Sequence, residues 1–293
     1  MESVPPPKPR QRWKIPAILL TLIVGAALLA PWISPQDPYD LAALRLEDSY
    51  LSPAWSDEGP GEREKIEVEE WSFFLGSDKQ GHDVYSAVLY GLRMSLFVGA
   101  SGTVLALSIG LSVGLFAGYY RGWPDALLMR AADVQLSFPS VLIALFLMAV
   151  WGAGLGKIII AVGIVHWVLY ARIARGVVLL EREKDYVAAV RSLGARSPRI
   201  MLRHLLPNTV TPILVVSVVQ FASIVILEAT LSYLGLGVPP TKPSLGMLIR
   251  NGYEEFFSGH WWVWFFPGVA LLCLLLTINW LGDLLREEFQ LEG

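Results

Sequence analysis

Residues 209–235 read TVTPILVVSVVQFASIVILEATLSYLG, with Glu228 as the one formally charged side chain. Crossing the hydrocarbon core of a bilayer as a helix takes about 20 predominantly apolar residues, and this stretch suffices. Five other blocks of comparable character lie around it, at 15–33, 94–118, 134–151, 157–179 and 261–282. Charge reaches them only at Lys157, Arg172 and Arg175, near block edges. The whole chain is 54% hydrophobic and 17% charged, with a mean hydropathy of +0.50. A soluble domain of this size needs more charge to face water. The expected fold is an all-α polytopic membrane protein of six transmembrane helices.

Working outward, the first block follows Lys8, Arg10, Arg12 and Lys14 and could be mistaken for a secretory signal. Its apolar run exceeds the ~7–15 residues of a signal core, and Pro31-Trp32-Ile33-Ser34-Pro35 offers no small-residue cleavage site. A retained first span is expected, after a tail at 1–14. Cytoplasmic loops of membrane proteins are enriched in Lys and Arg. The tail supplies four. Segment 172–208 supplies eight, against Glu181, Glu183 and Asp185, whereas 34–92 holds four basic and thirteen acidic residues. Both termini, including a short tail at 286–293, and the 181–208 loop are therefore placed in the cytoplasm, and 34–93 outside.

Residues 45–72 are acidic and weakly periodic, and read as an exposed insertion in preference to a docking element. Val84, Val88, Leu89, Leu92 and Leu96 fall at helical spacing within 81–97, predicting an interfacial amphipathic helix ahead of span two. In that span Ala106, Gly110, Gly114 and Gly118 recur every fourth residue. Such a stripe lets another helix backbone come close where lipid provides no hydrophobic drive. Channels, carriers and receptors all use it, so it speaks for packing and not for one function.

The segment 181–208, EREKDYVAAVRSLGARSPRIMLRHLLPN, has the grammar of helix, break, helix. Residues 185–193 form the first helix and Gly194 permits the turn. Ser197 is the expected N-cap, Pro198 the first helical residue and Pro207 the stop. Ala188, Ala189, Gly194 and Ala195 would keep the tip slim. A basic loop obeying the orientation rule would explain the charge, but not this order of helix signals.

That segment resembles the coupling loop of ABC importer permeases, written EAA, three residues, Gly, nine residues, Ile, one residue, Leu-Pro. Gly194 takes the glycine place, Leu206-Pro207 the end and Ala189 the second position, while Ala188, Val190 and His204 depart from the pattern. The peptide-permease version is matched through Asp185, Tyr186, Val187, Ala189, Arg191, Leu193, Gly194, Ala195, Arg203, His204, Leu206, Pro207 and Asn208. LGSDKQGHDVYSAVLYGLRMSL at 75–96 and EATLSYLGLGVPPTKPSLG at 228–246 resemble the second-permease branch of the dipeptide, oligopeptide and nickel family. His82, Ala87 and Leu245 stand where Arg, Arg and Trp are common.

The resemblance implies a type I importer permease with a five-span core at 94–285 and a coupling helix between spans four and five. Ala188, Ala189, Arg191, Ser192, Leu193, Gly194 and Ala195 would contact an ATPase. The implied partners are a second homologous permease in a heterodimer, two cytoplasmic ATPase subunits and an extracytoplasmic substrate-binding protein, all at the bacterial plasma membrane. ATP and Mg2+ would reside in the ATPases, with no cofactor or metal on this chain, and no nucleic acid is involved. The implied task is import of di- or oligopeptides, with nickel complexes or another small solute as the alternative.

Enzymatic signatures do not emerge. Gly152-Ala-Gly-Leu-Gly156-Lys157 is one residue short of a phosphate-binding loop and has Ile158 in place of the hydroxyl residue; it reads as a tight turn. His82, His166, His204 and His260 are scattered, and Cys273 is the single cysteine, which disfavours metal ligation and excludes an intrachain disulfide. No nucleophile motif occurs. An intramembrane carboxylate is a functional candidate by default, so Glu228 is either a pathway or gate residue or a group that pins the bundle, through Tyr233 or another helix; the structural role is preferred. Trp261, Trp262 and Trp264 are expected at the outer interface. An ion-coupled carrier would need midplane charge pairs or broken helices, and an intramembrane enzyme paired catalytic residues in its spans.

Overall fold

The computed structural model describes residues 13–38, 40, 44–56, 73–239 and 241–291. Most of the tail at 1–14, most of the acidic segment 45–72 and the last two residues of the 286–293 tail therefore lie outside the described residues. The described chain is helical, with one isolated antiparallel bridge between Ser77 and Asp83. In order the helices are α1 (Lys14–Leu28), α2 (Ala30–Ile33), α3 (Val84–Tyr120), α4 (Gly122–Leu136), α5 (Ser140–Trp151), α6 (Leu155–Glu181), α7 (Asp185–Ser192), α8 (Ser197–Ile200), α9 (Leu206–Tyr233), α10 (Leu245–Glu254) and α11 (Trp262–Leu291). Among the described residues, α3, α6, the continuous run Ser197–Tyr233 and α11 are long and apolar enough to cross a membrane, and α4 with α5 makes a fifth crossing if taken together. The apolar helix α1 is shorter, at 15 residues.

Helices α3 and α6 form the axis of the bundle. The small-residue stripe faces α6: a methyl added at Gly110 would lie 2.5 Å from Cβ of Tyr170, and one at Gly114 the same distance from Cβ of Ala174. Ala106, Tyr170 and Ala174 are fully buried beside it. Around this seam one core gathers Ile158, Val162, Ile224 and Leu231, and another gathers Val84, Val88, Val225, Leu274 and Ile278.

Four sequence expectations are corrected. The amphipathic helix at 81–97 is not a separate interfacial element but the start of the 37-residue α3, about 55 Å long at ~1.5 Å per residue. Asp83 caps it by accepting the Ser86 amide at 2.8 Å, and α10 covers its face, with Leu245 and Leu248 against Gly91. Block 134–151 is not one helix: α4 and α5 meet at 90°. Pro139 has no amide proton and biases Phe138 away from helical dihedrals; α5 restarts with the Pro139 carbonyl accepting from Leu142 at 3.0 Å.

Pro207 does not stop a helix. A π turn at Met201–Leu205 precedes α9, with Leu206 donating to the Met201 carbonyl. This wider turn takes the chain through Pro207, whose missing amide would otherwise have answered Arg203. Ser197 is not the N-cap; Arg196 is, with no side-chain bond, and its carbonyl accepts from Arg199 and Ile200 at 3.0 and 3.2 Å.

Two ends of the bundle are distinct. A knob end carries α7 and the cluster Leu115, Val178, Val187, Ile200 and Leu205. A platform end is tied together around Ser77. The Ser77 amide donates to the Leu51 carbonyl at 2.9 Å, the Leu51 amide to Ser77 Oγ at 2.7 Å, and Trp262 Nε1 to the Ser77 carbonyl at 3.1 Å. Gly76, at φ +84°, leaves no room for a side chain beside Leu51 and Trp262, which explains a glycine there.

Candidate functional site

The knob is built from its turn. Helix α7 ends in a paired-bond motif: Gly194 N–H donates to the Arg191 carbonyl at 3.0 Å and Ala195 N–H to the Val190 carbonyl at 3.3 Å. Gly194 takes the left-handed dihedral at φ +81°, and Val190 and Ala195 pack together into the cluster below. This is the Schellman arrangement, with glycine just past the helix end. The glycine expected to permit the turn sits at the turn.

Its two faces differ. Inward, Val187 is fully buried. Outward, Ala188, Ala189, Arg191, Ser192, Leu193 and Gly194 are exposed, and Ala195 is half-buried. Leu193 is 87% exposed, a large apolar side chain standing free on a basic tip. The structure thus brings all seven predicted coupling residues to one convex end. Arg191 also stands in the last turn of α7 and Asp185 in the first, each complementing the helix dipole.

A polar lattice mounts the knob on the two spans that flank it. Glu181, the last residue of α6, accepts from Tyr186 Oη at 2.7 Å, Lys184 Nζ at 2.6 Å and Asn208 Nδ2 at 3.2 Å; Asn208 also donates to Tyr186 Oη at 3.0 Å. The bond to Glu181 raises the Lys184 pKa, and burial, then the bond to Glu181, raises that of Tyr186. Nearby, Arg182 donates to the carbonyls of Gly118 and Tyr119 and Arg121 pairs with Glu183 at 3.1 Å. Tyr186 thus ties α7 to the end of α6 and the start of α9, while Arg182 and Glu183 tie the linker before α7 to the end of α3.

Two groups were missed by sequence reading. Glu181 joins three partners, and only its position three residues before Lys184 hinted at one of them. On α4, Asp125 receives Arg175 through Nε at 2.5 Å and Nη2 at 2.8 Å, and Asp133 receives Arg172 at 2.5 Å. These pairs account for the two arginines at the edge of block 157–179. Deeper in, Gln135 donates to the carbonyls of Ile164 and Val165, both at 2.9 Å, and accepts from Trp167 Nε1 at 2.9 Å, so the broken span is stitched to α6.

Glu228 lies apart from the knob, near the opposite end of α9. Its side chain is 0% exposed and accepts from Ser95 Oγ of α3 at 2.8 Å and from Ser232 Oγ one turn on at 2.7 Å. Tyr233, considered as its partner, instead sets its ring against Tyr253 at 6.4 Å. Beyond Glu228, Gly235 at φ +81° ends α9 in a second Schellman turn, with Leu236 N–H on the Leu231 carbonyl at 2.9 Å. The glycine-rich stretch before α6 is a turn: Gly152 caps α5 at φ +77° and Lys157 Nζ donates to the Trp151 carbonyl. Among the described residues, His, Cys, Asp and Glu side chains form no group of three that could hold a metal.

Known proteins with the same pattern place the chain in a family. Residues 110–289 match the model described as the inner membrane component of binding-protein-dependent transport systems. A putative peptide transport system permease protein of Brucella suis is 36% identical over 95% of this chain and 87% of its own length. The di/tripeptide transport system permease protein DppC of Pseudomonas aeruginosa is 36% identical over 92% of this chain and 84% of its own. The glutathione transport system permease protein GsiD of Escherichia coli O6:K15:H31 is 36% identical over 92% and 83%. In fold, the chain is similar to a chain of the inward-facing MetNI methionine ABC transporter, with a TM-score of 0.55 at 20% identity over 69% of this chain and 95% of that one. The chain belongs to the family of inner membrane components of binding-protein-dependent transport systems.

Proposed function

We propose that this chain is one permease subunit of an ATP-driven importer of di- or oligopeptides, seated in the bacterial plasma membrane with the knob and both termini in the cytoplasm. The relatives named for peptides, di/tripeptides and glutathione, each matched over more than nine-tenths of the chain, support the substrate class. A second homologous permease, two ATPase subunits and an external binding protein complete the assembly. ATP and Mg2+ sit in the ATPases.

The observation that carries the mechanism is the exposed tip at 188–194 on a mounting that grips α6 and α9. Seated in a groove of an ATPase, it would move when ATP binding draws the two ATPases together. Because Glu181, Tyr186 and Asn208 tie α7 to both flanking spans, that movement rocks the spans, and the pathway opens alternately to either side. Coupling of this kind requires that the groove contact the knob differently in the two states.

The remaining residues take supporting roles. Gly110, Gly114 and Gly118 hold α3 against α6. Glu228, paired with two serines on two helices, pins α9 to α3 and is not a pathway residue. The test is ATP-dependent uptake of a labelled dipeptide in vesicles containing the full complex. Loss of uptake on omitting the ATPases supports the reading; uptake that persists and follows an ion gradient contradicts it. Identification of the ligand carried by the binding protein decides between a peptide and a nickel complex.

A further inference from the structure

Helix α1 does not close fully onto the bundle. Ala27 is buried against the core, with Leu20 and Ile23 beside it. Val24 and Leu28 instead line a hollow of about 730 Å³ together with Leu96, Phe97 and Ala100 of α3 and Phe221 of α9. Sites that bury a small ligand occupy roughly 300–1,000 Å³, so the volume suits an occupant. The walls are apolar and open outward, since Leu28, Phe97 and, further along the same face, Val104 are exposed.

Two cations line this apolar hollow, Arg93 and Lys242. Both are exposed, and among the described residues neither side chain has a hydrogen bond or ion pair. Arg93 immediately precedes the apolar block 94–118 of α3, so it stands where that helix leaves the hydrocarbon.

The geometry points to a bound anionic phospholipid, its phosphate held by Arg93 and Lys242 and an acyl chain laid between α1 and α3. A peptide would need polar partners for its backbone along the groove, and Leu96, Phe97, Ala100, Val24 and Leu28 provide none. The lipid would complete the contact between α1 and α3. Two basic residues at the mouth of the hollow favour anionic over neutral headgroups.

The experiment uses the complete complex in vesicles doped with phosphatidylglycerol bearing a diazirine near the end of one acyl chain. After illumination, labelled peptides are mapped by mass spectrometry; neither substrate nor ATP is needed, so the outcome is separate from that of the transport reading. We expect labelling concentrated on residues 24–28 and 93–100, and lowered roughly tenfold in R93A/K242A, with the doubly conservative R93K/K242R retaining it. Ala100→Trp, which fills the groove, should remove the label while leaving the purified complex intact. Equal labelling in R93A/K242A would mean bulk lipid only. Labelling of the second permease at this face, a Phe97→Cys cross-link to it, or absence of label from both segments would likewise overturn the proposal.

Discussion

A methyl group added at Gly114 would press on the Ala171 carbonyl and lie 2.5 Å from Cβ of Ala174, whereas one added at Gly194 would meet nothing within 4 Å. Both glycines stand among small residues, Gly114 inside α3 and Gly194 at the turn just past α7. In the seam between α3 and α6 smallness permits contact within the chain. On the knob it leaves Ala188, Ala189 and Gly194 exposed. A small residue with nothing against it has its reason elsewhere: at Gly194 in a positive φ, and at Ala188 and Ala189 in whatever body approaches the tip.

Substitutions can break or sharpen this contrast. The largest effect belongs to Gly114→Leu. Overpacking a tight contact costs about 1–3 kcal/mol and more where backbone blocks relief, and here the obstacle is backbone. We expect the complex to be nearly absent from the membrane fraction, measured by quantitative immunoblot; normal levels with normal uptake would show the seam to be loose.

Next is Tyr186→Phe. It removes one bond to Glu181 and one from Asn208, a loss of about 1–2 kcal/mol, so the melting temperature of the purified complex should fall by a few degrees and uptake by severalfold. No change in either would mean that the lattice mounting the knob is ornamental.

Glu228→Gln ranks below it. The amide keeps shape and can still accept from one serine while donating to the other. A modest, uniform fall in uptake is expected for paired peptides with free and blocked N-termini, at matched complex levels. A large loss confined to the free-amine peptide would make Glu228 a pathway residue.

Smallest of all is Ala188→Ser. Exposed and without neighbours to displace, it should leave the melting temperature of the isolated chain unchanged within error; a clear drop would show the tip to be buried in the fold.

How much of this was legible without coordinates differs by region, for physical reasons. The helical class followed from apolar blocks, because a bilayer imposes length and polarity on every span. The turn at Gly194 followed from local signals, since a Schellman end is decided by residues within one helical turn. Where a local signal was outvoted, reading failed. Pro139 announced the break between α4 and α5, but averaging hydropathy over 134–151 hid it. Pro207 looked like a stop, though a five-residue π turn ending at Leu205 carries the helix past it. The start of α3 read as interfacial because Ser86, Tyr90 and Arg93 interrupt its apolar pattern; only the distant α10 shows what covers it. The cross-helix partner of Glu228 was out of reach, as Ser95 lies on α3 with nothing local to mark the pairing, although Ser232 stands one turn away on the same helix. Orientation rests on charge, and cysteines introduced at Ser56 and Ser197 in a Cys273→Ala background should react with an impermeant thiol reagent from opposite faces of the membrane. Reaction from one face only would contradict it.

The most direct test of coupling through the knob is Gly194→Asp in the reconstituted complex, with uptake and substrate-stimulated ATP hydrolysis measured on the same vesicles. An L side chain at φ +81° costs about 1–2 kcal/mol locally, too little to unfold the bundle, while its carboxylate enlarges a tip that must enter a groove. We expect the four-part membrane complex at normal levels, with uptake and stimulated hydrolysis both down by roughly tenfold or more, since each 1.4 kcal/mol lost at the contact is a factor of ten. Unchanged uptake together with unchanged stimulation would show that the tip is a basic loop and nothing more.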